Sequence, residues 1–372
     1  MVAVETATQL STVPTAVYVS TNSGASWTAT TFSNVIWGAV ACSADGRKLV
    51  AAAYGVIGVV GGAMYSSSDS GVTWALNGAP SRNNWVSVAS SADGTRLVAA
   101  SGPYNNSGIY ISTNSGATWV QTSAPVQTNW VAIVSSADGN RLAAAVGGGV
   151  TQVNSQFQTN IGLIYVSTNG GLNWSATTAP STNWHSIASS ADGSRLAATV
   201  NTTSAGVPGA IYVSTNSGYT WTKASAPLGG WDGITSSADG LKLLAGGTAS
   251  ASLYTSVDGG ATWISSLGTG NWNSVASSAD GSLLLTTDFG GHILASRSMP
   301  HPAMRMSAAG GNIALSWLAT TTNFVLQSSA GLGPGAGWSD VTATPVLNLS
   351  NLEYQVVLSP TNSQGFYRLE SR

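Results

Sequence analysis

The sequence predicts an all-β protein, a β-propeller built of four-stranded antiparallel blades. Two markers with fixed internal spacing predict it. In the first, a Trp is followed eight residues later by Asp-Gly, and this occurs six times, at Trp37, Trp85, Trp130, Trp184, Trp231 and Trp272. In the second, a Tyr precedes a Trp by nine residues, again six times, from Tyr18/Trp27 to Tyr254/Trp263. Repeats this long and regular indicate an array of small sheets.

The repeat that starts at Trp85 shows how one blade is formed. Residues 85–90 alternate apolar and small side chains, as a strand does, and Asp93-Gly94 supplies the positive φ of a hairpin turn. Runs that start at Arg96, Ile109 and Trp119 give the second, third and fourth strands. Four short antiparallel strands in roughly 40–50 residues make one propeller blade.

Strand counts favour six blades, with seven as the alternative. First and fourth strands number six each, whereas third strands number seven if the run after His292 is included. We expect an N-terminal strand to pair with the last blade, because such closure removes exposed sheet edges. The propeller is then expected to cover residues 1–298.

The remainder of the chain, residues 302–372, lacks the repeat period. Strand-like runs begin near Asn312, Phe324, Trp338 and Gly365, which predicts a small β-sandwich-like domain. Pro300 and Pro302 mark the linker between the two parts.

Composition limits the partners and the location. Charged residues make up 7% and the net charge is −2, which argues against a nucleic-acid partner. No apolar stretch is long enough to span a membrane, and the N-terminus lacks the pattern of a secretion signal. A surface rich in Ser, Thr, Asn and Gly is typical of secreted bacterial proteins, so we expect an extracellular or periplasmic monomer. Cys42, the single cysteine, is predicted to be a small buried residue.

The turn before each second-marker Trp resembles the Asp-box, or BNR repeat, of sialidase-like propellers, which reads Ser-x-Asp-x-Gly-x-Thr-Trp. All six copies have the Ser, Gly and Trp. The acidic position is occupied by Asp69 and Asp258, and elsewhere by Asn, which can make the same turn hydrogen bonds. The resemblance covers residues 18–298 and implies the fold rather than an activity. Residues 302–372 resemble the small C-terminal β-domain of secreted proteins of planctomycete and verrucomicrobial type.

The same resemblance provides a test for sialidase activity. It would imply an arginine triad, a Tyr nucleophile supported by a Glu, and an acid Asp. The arginine-containing N-terminal signature is missing, and the carboxylates outside the repeat positions of the propeller are Glu5, Asp232 and Asp288. A glycosidase of the usual type needs a carboxylate pair, and in the propeller only Asp232 and Asp288 could supply it. Since the sialidase residues are missing, sialidase activity is not expected.

One position in each repeat varies while its neighbours stay constant. It directly follows the marker Trp and holds Gly38, Val86, Val131, His185, Asp232 and Asn273. We call these six positions the slots. Since each slot starts an innermost strand, His185, Asp232 and Asn273 are expected to converge at the channel mouth, with Asp288 and His292 in the next loop of the last blade.

These polar residues have a functional and a structural interpretation. His185 and Asp232 are the catalytic candidates, and Asp232, Asn273 and Asp288 are candidate ligands of a divalent cation such as Ca²⁺. Asn273, Asp288 and His292 are also candidates for ligand binding. The structural interpretation is that they hydrogen-bond one another and water in the channel, and we favour it.

The marker Trp residues also allow two interpretations. Trp184, Trp231 and Trp272 could form a rim that stacks on sugars, or each could wedge between neighbouring blades, which their identical placement favours. The loop with the largest insertion, residues 147–162, is rich in amide side chains, which suit neutral polar ligands such as glycans and suit a flexible linkage equally well.

The sequence therefore favours a secreted, non-enzymatic binding module with a glycan, small molecule or protein as its ligand at the channel face. The alternative is a hydrolase of lactonase, esterase or phosphotriesterase type, with or without a divalent metal, at the channel mouth.

Overall fold

A computed structural model describes most of the chain. The described residues are 1–4, 16–30, 35–53, 62–81, 83–102, 107–126, 128–153, 156–160, 162–202, 206–247, 253–266, 270–288, 292–297, 304–318, 324–331, 337–359 and 365–371. All secondary-structure elements within these ranges are β-strands, as predicted.

The repeat region consists of antiparallel sheets in chain order. The first has three strands, β1 (Val2–Val4), β2 (Val17–Val19) and β3 (Thr28–Ala29). Two sheets of four strands follow: β4 (Trp37–Cys42), β5 (Leu49–Ala53), β6 (Met64–Ser67) and β7 (Ala75–Leu76), then β8 (Trp85–Ser90), β9 (Leu97–Ser101), β10 (Gly108–Ser112) and β11 (Val120–Gln121).

The next sheet contains an inserted hairpin. Its strands are β12 (Trp130–Ser135), β13 (Leu142–Val146), β16 (Ile164–Ser167) and β17 (Ser175–Ala176), and the hairpin is β14 (Gly149–Val153) with β15 (Gln156–Asn160). Three further sheets are β18 (Trp184–Ser189), β19 (Leu196–Val200), β20 (Ile211–Ser214) and β21 (Thr222–Lys223); β22 (Gly233–Ser236), β23 (Leu243–Gly246), β24 (Leu253–Ser256) and β25 (Ile264–Ser266); and β26 (Trp272–Ser277), β27 (Leu283–Asp288) and β28 (Ile293–Arg297).

The sheets of the described repeat region number seven, five complete and two three-stranded, as in the seven-blade alternative rather than the preferred six. The expected closure is not found among the described residues, where β1 pairs with β2 and the last sheet consists of β26, β27 and β28. Ala3 faces Tyr18 just as Ala51 faces Tyr65, so β1 occupies the second-strand position of its own sheet. The backbone hydrogen bonds of β1 are made with β2, the next strand in the chain.

The sheets are arranged around a common axis. Each first strand contacts the first strand of the next sheet, from β4 through β8, β12, β18 and β22 to β26. The first and last sheets also meet, since a methyl group placed at Gly24 would lie 3.6 Å from Leu285 Cδ2. The core therefore lies between neighbouring sheets, as in a propeller.

Marker Trp side chains fill these interfaces. Five of them are at most 1% exposed, and Trp231 is fully buried in a cluster with Ile211, Ile234 and Leu243. Its ring lies edge-on to Tyr254, with the ring centroids 5.5 Å apart. The two sequence markers thus meet in space, and burial of so large an apolar area stabilises each interface.

The six Ser-Ala-Asp-Gly turns follow the first strands and lie at the end of the channel opposite to the slots. We call this end the turn end. Within each turn the Ser hydroxyl donates to the Asp carboxylate and accepts the amide five residues later. Between turns, each Ala amide donates to the Ala carbonyl of the next turn, in five bonds that run from Ala44 to Ala279.

Basic side chains after the turns strengthen the same end. Arg141 donates to the carbonyl of Asp192 at 2.7 Å, and Lys242 donates to that of Asp280 at 2.7 Å. Both residues occupy the same position of their repeats, so this position contributes to the contacts between neighbouring turns. Cys42, at the end of β4, is exposed, so its predicted burial is wrong. It is the last residue of its strand and pairs with Leu49 of β5.

Residues after 303 form two further sheets. One has the order β29 (Arg305–Ala309), β30 (Asn312–Leu318), β34 (Glu353–Leu358) and β33 (Val346–Asn348), and the other has β32 (Ser339–Asp340), β31 (Phe324–Ser329) and β35 (Phe366–Ser371). Both contribute to one buried cluster that includes Leu315, Trp317, Leu326 and Val356. The guanidinium of Arg368 lies 4.6 Å from the ring centroid of Trp338. The domain boundary at residue 302 stays a prediction.

Candidate functional site at the slot end

Five of the six slots lie where a β-bulge interrupts the pairing of the first strand. At the sixth, the amide of Asp232 donates to the carbonyl of Gly246 at 2.9 Å. The register shifts between Trp184 and Ser186, so the intervening His185 has no partner in β19, and the same shift follows four other marker Trp residues. A bulged residue is unpaired and its side chain is redirected. At the five bulged slots the ladder therefore does not restrict the slot residue, which is consistent with the wide variation at this position. We call this end of the channel the slot end.

Two neighbouring sheets are joined by hydrogen bonds at the slot end. His185 Nδ1 lies 2.8 Å from the backbone carbonyl oxygen of Asp232, and Asn201 Nδ2 donates to Asp232 Oδ1 at 2.7 Å. Because a carbonyl can only accept, Nδ1 carries the proton and Nε2 of the neutral ring is left as an acceptor. His185 is exposed, whereas Asp232 and Asn201 are half-buried.

A second pair lies in the last sheet. His292 Nδ1 is 2.9 Å from Asp288 Oδ2, and the His292 amide donates to Asp288 Oδ1 at 2.9 Å. The carboxylate therefore holds both the backbone and the ring of His292, whose side chain is 71% exposed. Asp288 is the cross-strand partner of Trp272, so the pair lies beside the Asn273 slot.

The predicted site residues thus form two groups at the same end of the channel. His185 and Asp232 belong to one, and Asp288 and His292 to the other, while Asn273 is exposed between them on β26. Gly233, next to Asp232, lies against Ser274, next to Asn273. Sequence reasoning missed Asn201, which follows a second strand outside both markers. His185 and Asp232 meet through the backbone carbonyl of Asp232.

The residues fit a divalent cation poorly. Among the described residues, no three His, Cys, Asp or Glu side chains are grouped so that they could hold a metal ion. Asp232 Oδ1 accepts a hydrogen bond from Asn201, and both oxygens of Asp288 face His292. Ca²⁺ needs six to eight oxygen ligands, so Asp232, Asn273 and Asp288 alone would be insufficient.

The Trp rim expected as an alternative does not form. Trp184 and Trp231 are fully buried and Trp272 is 6% exposed, so none of these rings presents a face to a sugar. They pack between sheets because an indole gains more from removing its surface from water than from lying at a rim. The wedge interpretation is confirmed.

The longest insertion also lies at the slot end, because it follows a second strand, as Asn201 and Asp288 do. Its backbone forms the hairpin of β14 and β15, with Gly149 opposite Asn160 and Val153 opposite Gln156. A paired hairpin that forms a two-stranded sheet of its own, rather than an irregular loop, therefore follows β13. No helix in the described part of the chain is long and apolar enough to cross a membrane.

Comparisons with known proteins support the fold. No family model matches the chain, and no curated protein matches it. The structure is similar to a GH74 xyloglucanase from Xanthomonas campestris, with a TM-score of 0.59, 19% identity, and coverage of 84% of this chain and 57% of the enzyme. It is also similar to the GH74 enzyme of Niastella koreensis, with a TM-score of 0.56, 15% identity, and coverage of 99% and 71%.

Two further solved structures are similar to this chain. The Kuenenia stuttgartiensis hydrazine synthase gives a TM-score of 0.55 at 15% identity, over 76% of this chain and 92% of that one. An ancestral GH74 enzyme gives a TM-score of 0.54 at 16% identity, and this chain spans 50% of its length. Identities this low show the propeller fold alone, and this chain spans about 57% of the xyloglucanase.

Proposed function

We propose that this protein is a binding module for a neutral carbohydrate, with its ligand site at the slot end of the propeller. The observation that carries the proposal is the divergence of the slots. Three consecutive sheets replace an apolar or glycine residue with His185, Asp232 and Asn273, although the strands around them keep one pattern. Function commonly resides in variable positions on a rigid scaffold.

The chemistry of these groups supports a ligand rich in hydroxyl groups. The exposed Asn273 offers an amide with two donor hydrogens and a carbonyl acceptor, and the exposed His185 offers Nε2 as an acceptor. Sugar hydroxyls can satisfy both kinds of group at once. The hairpin of β14 and β15, whose sequence is rich in amide residues, follows β13 at the same end and would extend the site. The similarity to GH74 enzymes is compatible with a glycan ligand.

Hydrolysis of a glycosidic bond has less support. A glycosidase of the usual type needs two carboxyl groups that flank the bond. Asp232 is half-buried and is bonded by Asn201, and Asp288 is bonded by His292. Both carboxylates therefore position neighbouring groups instead of facing each other across an open cleft. An extracellular or periplasmic location would give such a module access to polysaccharide.

Isothermal titration calorimetry tests this proposal. We expect binding of xyloglucan oligosaccharides or another neutral glucan from a panel, and a loss of affinity of roughly tenfold in each of His185→Ala and Asn273→Ala. Ser175→Ala, an exposed position on the outer strand β17, is the matched control and should bind as the wild type does. Absence of binding to every glycan by folded protein, or unchanged affinity in both slot variants, would contradict the proposal.

A second candidate is a hydrolase that uses His292 as its general base. The 2.9 Å contact between Asp288 and His292 favours it, because a carboxylate at Nδ1 orients an imidazole and leaves Nε2 to accept a proton. Turnover of esters, lactones or phosphotriesters that is abolished in His292→Gln, with unchanged melting temperature, would support this candidate. Equal background rates for both proteins would remove it.

A further inference from the structure

A second position at the slot end varies together with the slot. Gly102, Gly147 and Asn201 each directly follow the last residue of a second strand, β9, β13 or β19. Their backbone amides donate to the carbonyl of the Asn that precedes the marker Trp, at 2.7, 2.9 and 3.2 Å. The three residues are therefore structurally equivalent, and we call their positions the companion positions.

A valine in the slot leaves little room for a side chain at the companion position. A methyl group placed on the companion glycine would lie 3.1 Å from Val86 Cγ1 in one sheet and 2.9 Å from Val131 Cγ1 in the next. Contacts this short overpack the site, so a neighbour would have to shift. Where His185 replaces the valine, Asn201 replaces the glycine. The two positions thus differ together, which indicates a shared role.

The side chain of Asn201 has a defined orientation. Its Oδ1 accepts the amide of Thr202 at 2.6 Å, and because a backbone amide can only donate, the other end of the side chain is the NH2 group. That Nδ2 donates to Asp232 Oδ1 of the next sheet at 2.7 Å. Asn201 is consequently a hydrogen-bond donor fixed at the interface between two sheets.

Asp232 is held at three points. Its amide donates to the carbonyl of Gly246 at 2.9 Å, its carbonyl accepts from His185 Nδ1 at 2.8 Å, and its carboxylate accepts from Asn201. An ionised carboxylate accepts hydrogen bonds and donates none. Asp232 is half-buried, so part of its surface is accessible at the slot end. The slot end therefore has a negatively charged acceptor in a fixed place beside the imidazole of His185.

The other carboxylate of the slot end has a different role. Both oxygens of Asp288 lie within 3.2 Å of His292 Nδ1 in the same sheet, and one of them also accepts the His292 amide. Asp232 instead lies between the sheets of the two other polar slots, since its neighbour Gly233 packs against β26. A ligand that reaches both His185 and Asn273 must pass Asp232.

We propose that Asn201 and Asp232 determine which glycans the slot end accepts, an inference that rests on the function proposed above. Asn201 is a positioning residue that holds the Asp232 carboxylate in place, and the carboxylate accepts hydrogen bonds from sugar hydroxyl groups. The same charge repels a sugar that carries a carboxylate, such as a uronic acid. The site thus selects neutral glycans over acidic glycans of the same linkage and length.

A matched pair of tetrasaccharides tests the selection by charge. Cellotetraose and the β-1,4-linked tetraglucuronate share linkage and length and differ in the carboxylate at C6. In titration calorimetry the wild-type chain should bind cellotetraose roughly tenfold more tightly. Asp232→Asn copies the residue of the next slot, Asn273, and retains an oxygen that accepts from Asn201. It should reduce the preference to less than about threefold by strengthening the binding of the tetraglucuronate.

Variants of Asn201 test its positioning role. Asn201→Gly introduces the residue of the other two companion positions, so the protein should still fold, but cellotetraose binding should weaken roughly tenfold. Asn201→Gln keeps an NH2 donor and should recover most of that affinity. In ¹⁵N NMR spectra without ligand, His185 should be protonated at Nδ1 in the wild type and should show a mixture of tautomers in Asn201→Gly. His185→Gln identifies its signals among the three histidines.

Two kinds of failure are distinguishable. Equal wild-type affinity for the two tetrasaccharides, an unchanged preference in Asp232→Asn, or an unchanged affinity and tautomer in Asn201→Gly would overturn the roles of Asn201 and Asp232, while glycan binding itself would stand. If no glycan of any kind binds the folded protein, the proposed function fails and the selection by charge fails with it.

Discussion

The turn end and the slot end of the channel belong to the same six first strands but differ in how uniform they are. All six turns repeat the same Ser-to-Asp hydrogen bond, with O–O distances of 2.5–2.6 Å. At the slot end, His185 bonds a backbone carbonyl, whereas Asp288 holds a histidine of its own sheet. Identical contacts in every repeat indicate scaffold, and divergence on that scaffold indicates a site.

The largest effect should come from the core that both ends share. Trp231→Ala removes a fully buried indole that packs on Tyr254, so we expect a loss of about 3–5 kcal/mol in the free energy of unfolding. Denaturant unfolding followed by circular dichroism measures it. Tyr219→Ala, whose side chain is 60% exposed, should change stability by less than about 0.5 kcal/mol. Similar losses in the two variants would refute the role of the marker Trp.

An intermediate effect should come from the turn end. Ser190 donates to Asp192 at 2.6 Å and accepts the amide of Arg195 at 3.0 Å, so Ser190→Ala leaves two groups without this partner. We expect a loss of about 1–3 kcal/mol in unfolding free energy, measured as above. Ser175→Ala on an outer strand serves as the control. If both variants are equally stable, the turn end is not the uniform scaffold that the repeats imply.

A smaller effect should appear as a function of pH. A side-chain hydrogen bond from Thr262 lowers the pKa of Asp258 to about 2, and one from Thr73 does the same for Asp69. Because the folded pKa lies below the ordinary value of 3.8, this stabilisation is present above pH 3.8 and is lost as the pH falls towards 2. Asp69→Asn with Asp258→Asn should flatten that part of the melting-temperature profile. An unchanged acid slope would contradict the assignment.

The smallest effect on stability should come from a slot. His185→Val copies the residue of the Val131 slot, and because the bulge leaves this residue unpaired, unfolding free energy should change by less than about 0.5 kcal/mol. Glycan affinity should fall nonetheless, by the factor expected for His185→Ala. A loss of stability comparable to that of Ser190→Ala would show that the slot is part of the scaffold after all.

The sequence predicted the features that repeat and missed those that occur once. Both markers are periodic, so the strands, the turns and the burial of Trp231 could be inferred from them. Asn201 lies in a loop whose length varies, and its contact with Asp232 depends on how two sheets pack, which no local pattern encodes. The three-residue β1 contains neither marker, so it was not recognised, and the counts of first and fourth strands, six each, favoured six blades.

The bulges themselves could not be predicted, although their consequence could. Variation at the slots was visible in the sequence, but an extra unpaired residue in the first strand is a matter of register, which depends on the partner strand. The same holds for the contacts of Asp232. Its backbone carbonyl meets His185, and its carboxylate accepts a hydrogen bond from Asn201.

The bulges make the propeller a convenient frame for protein engineering. An unpaired residue can be exchanged without a change in strand register, so the five bulged slots form a set of addressable positions around one opening. A combinatorial library at Gly38, Val86 and Val131 would diversify the half of the rim that now carries no polar group, while His185, Asp232 and Asn273 stay in place. Selection from such a library could alter ligand preference without redesign of the core.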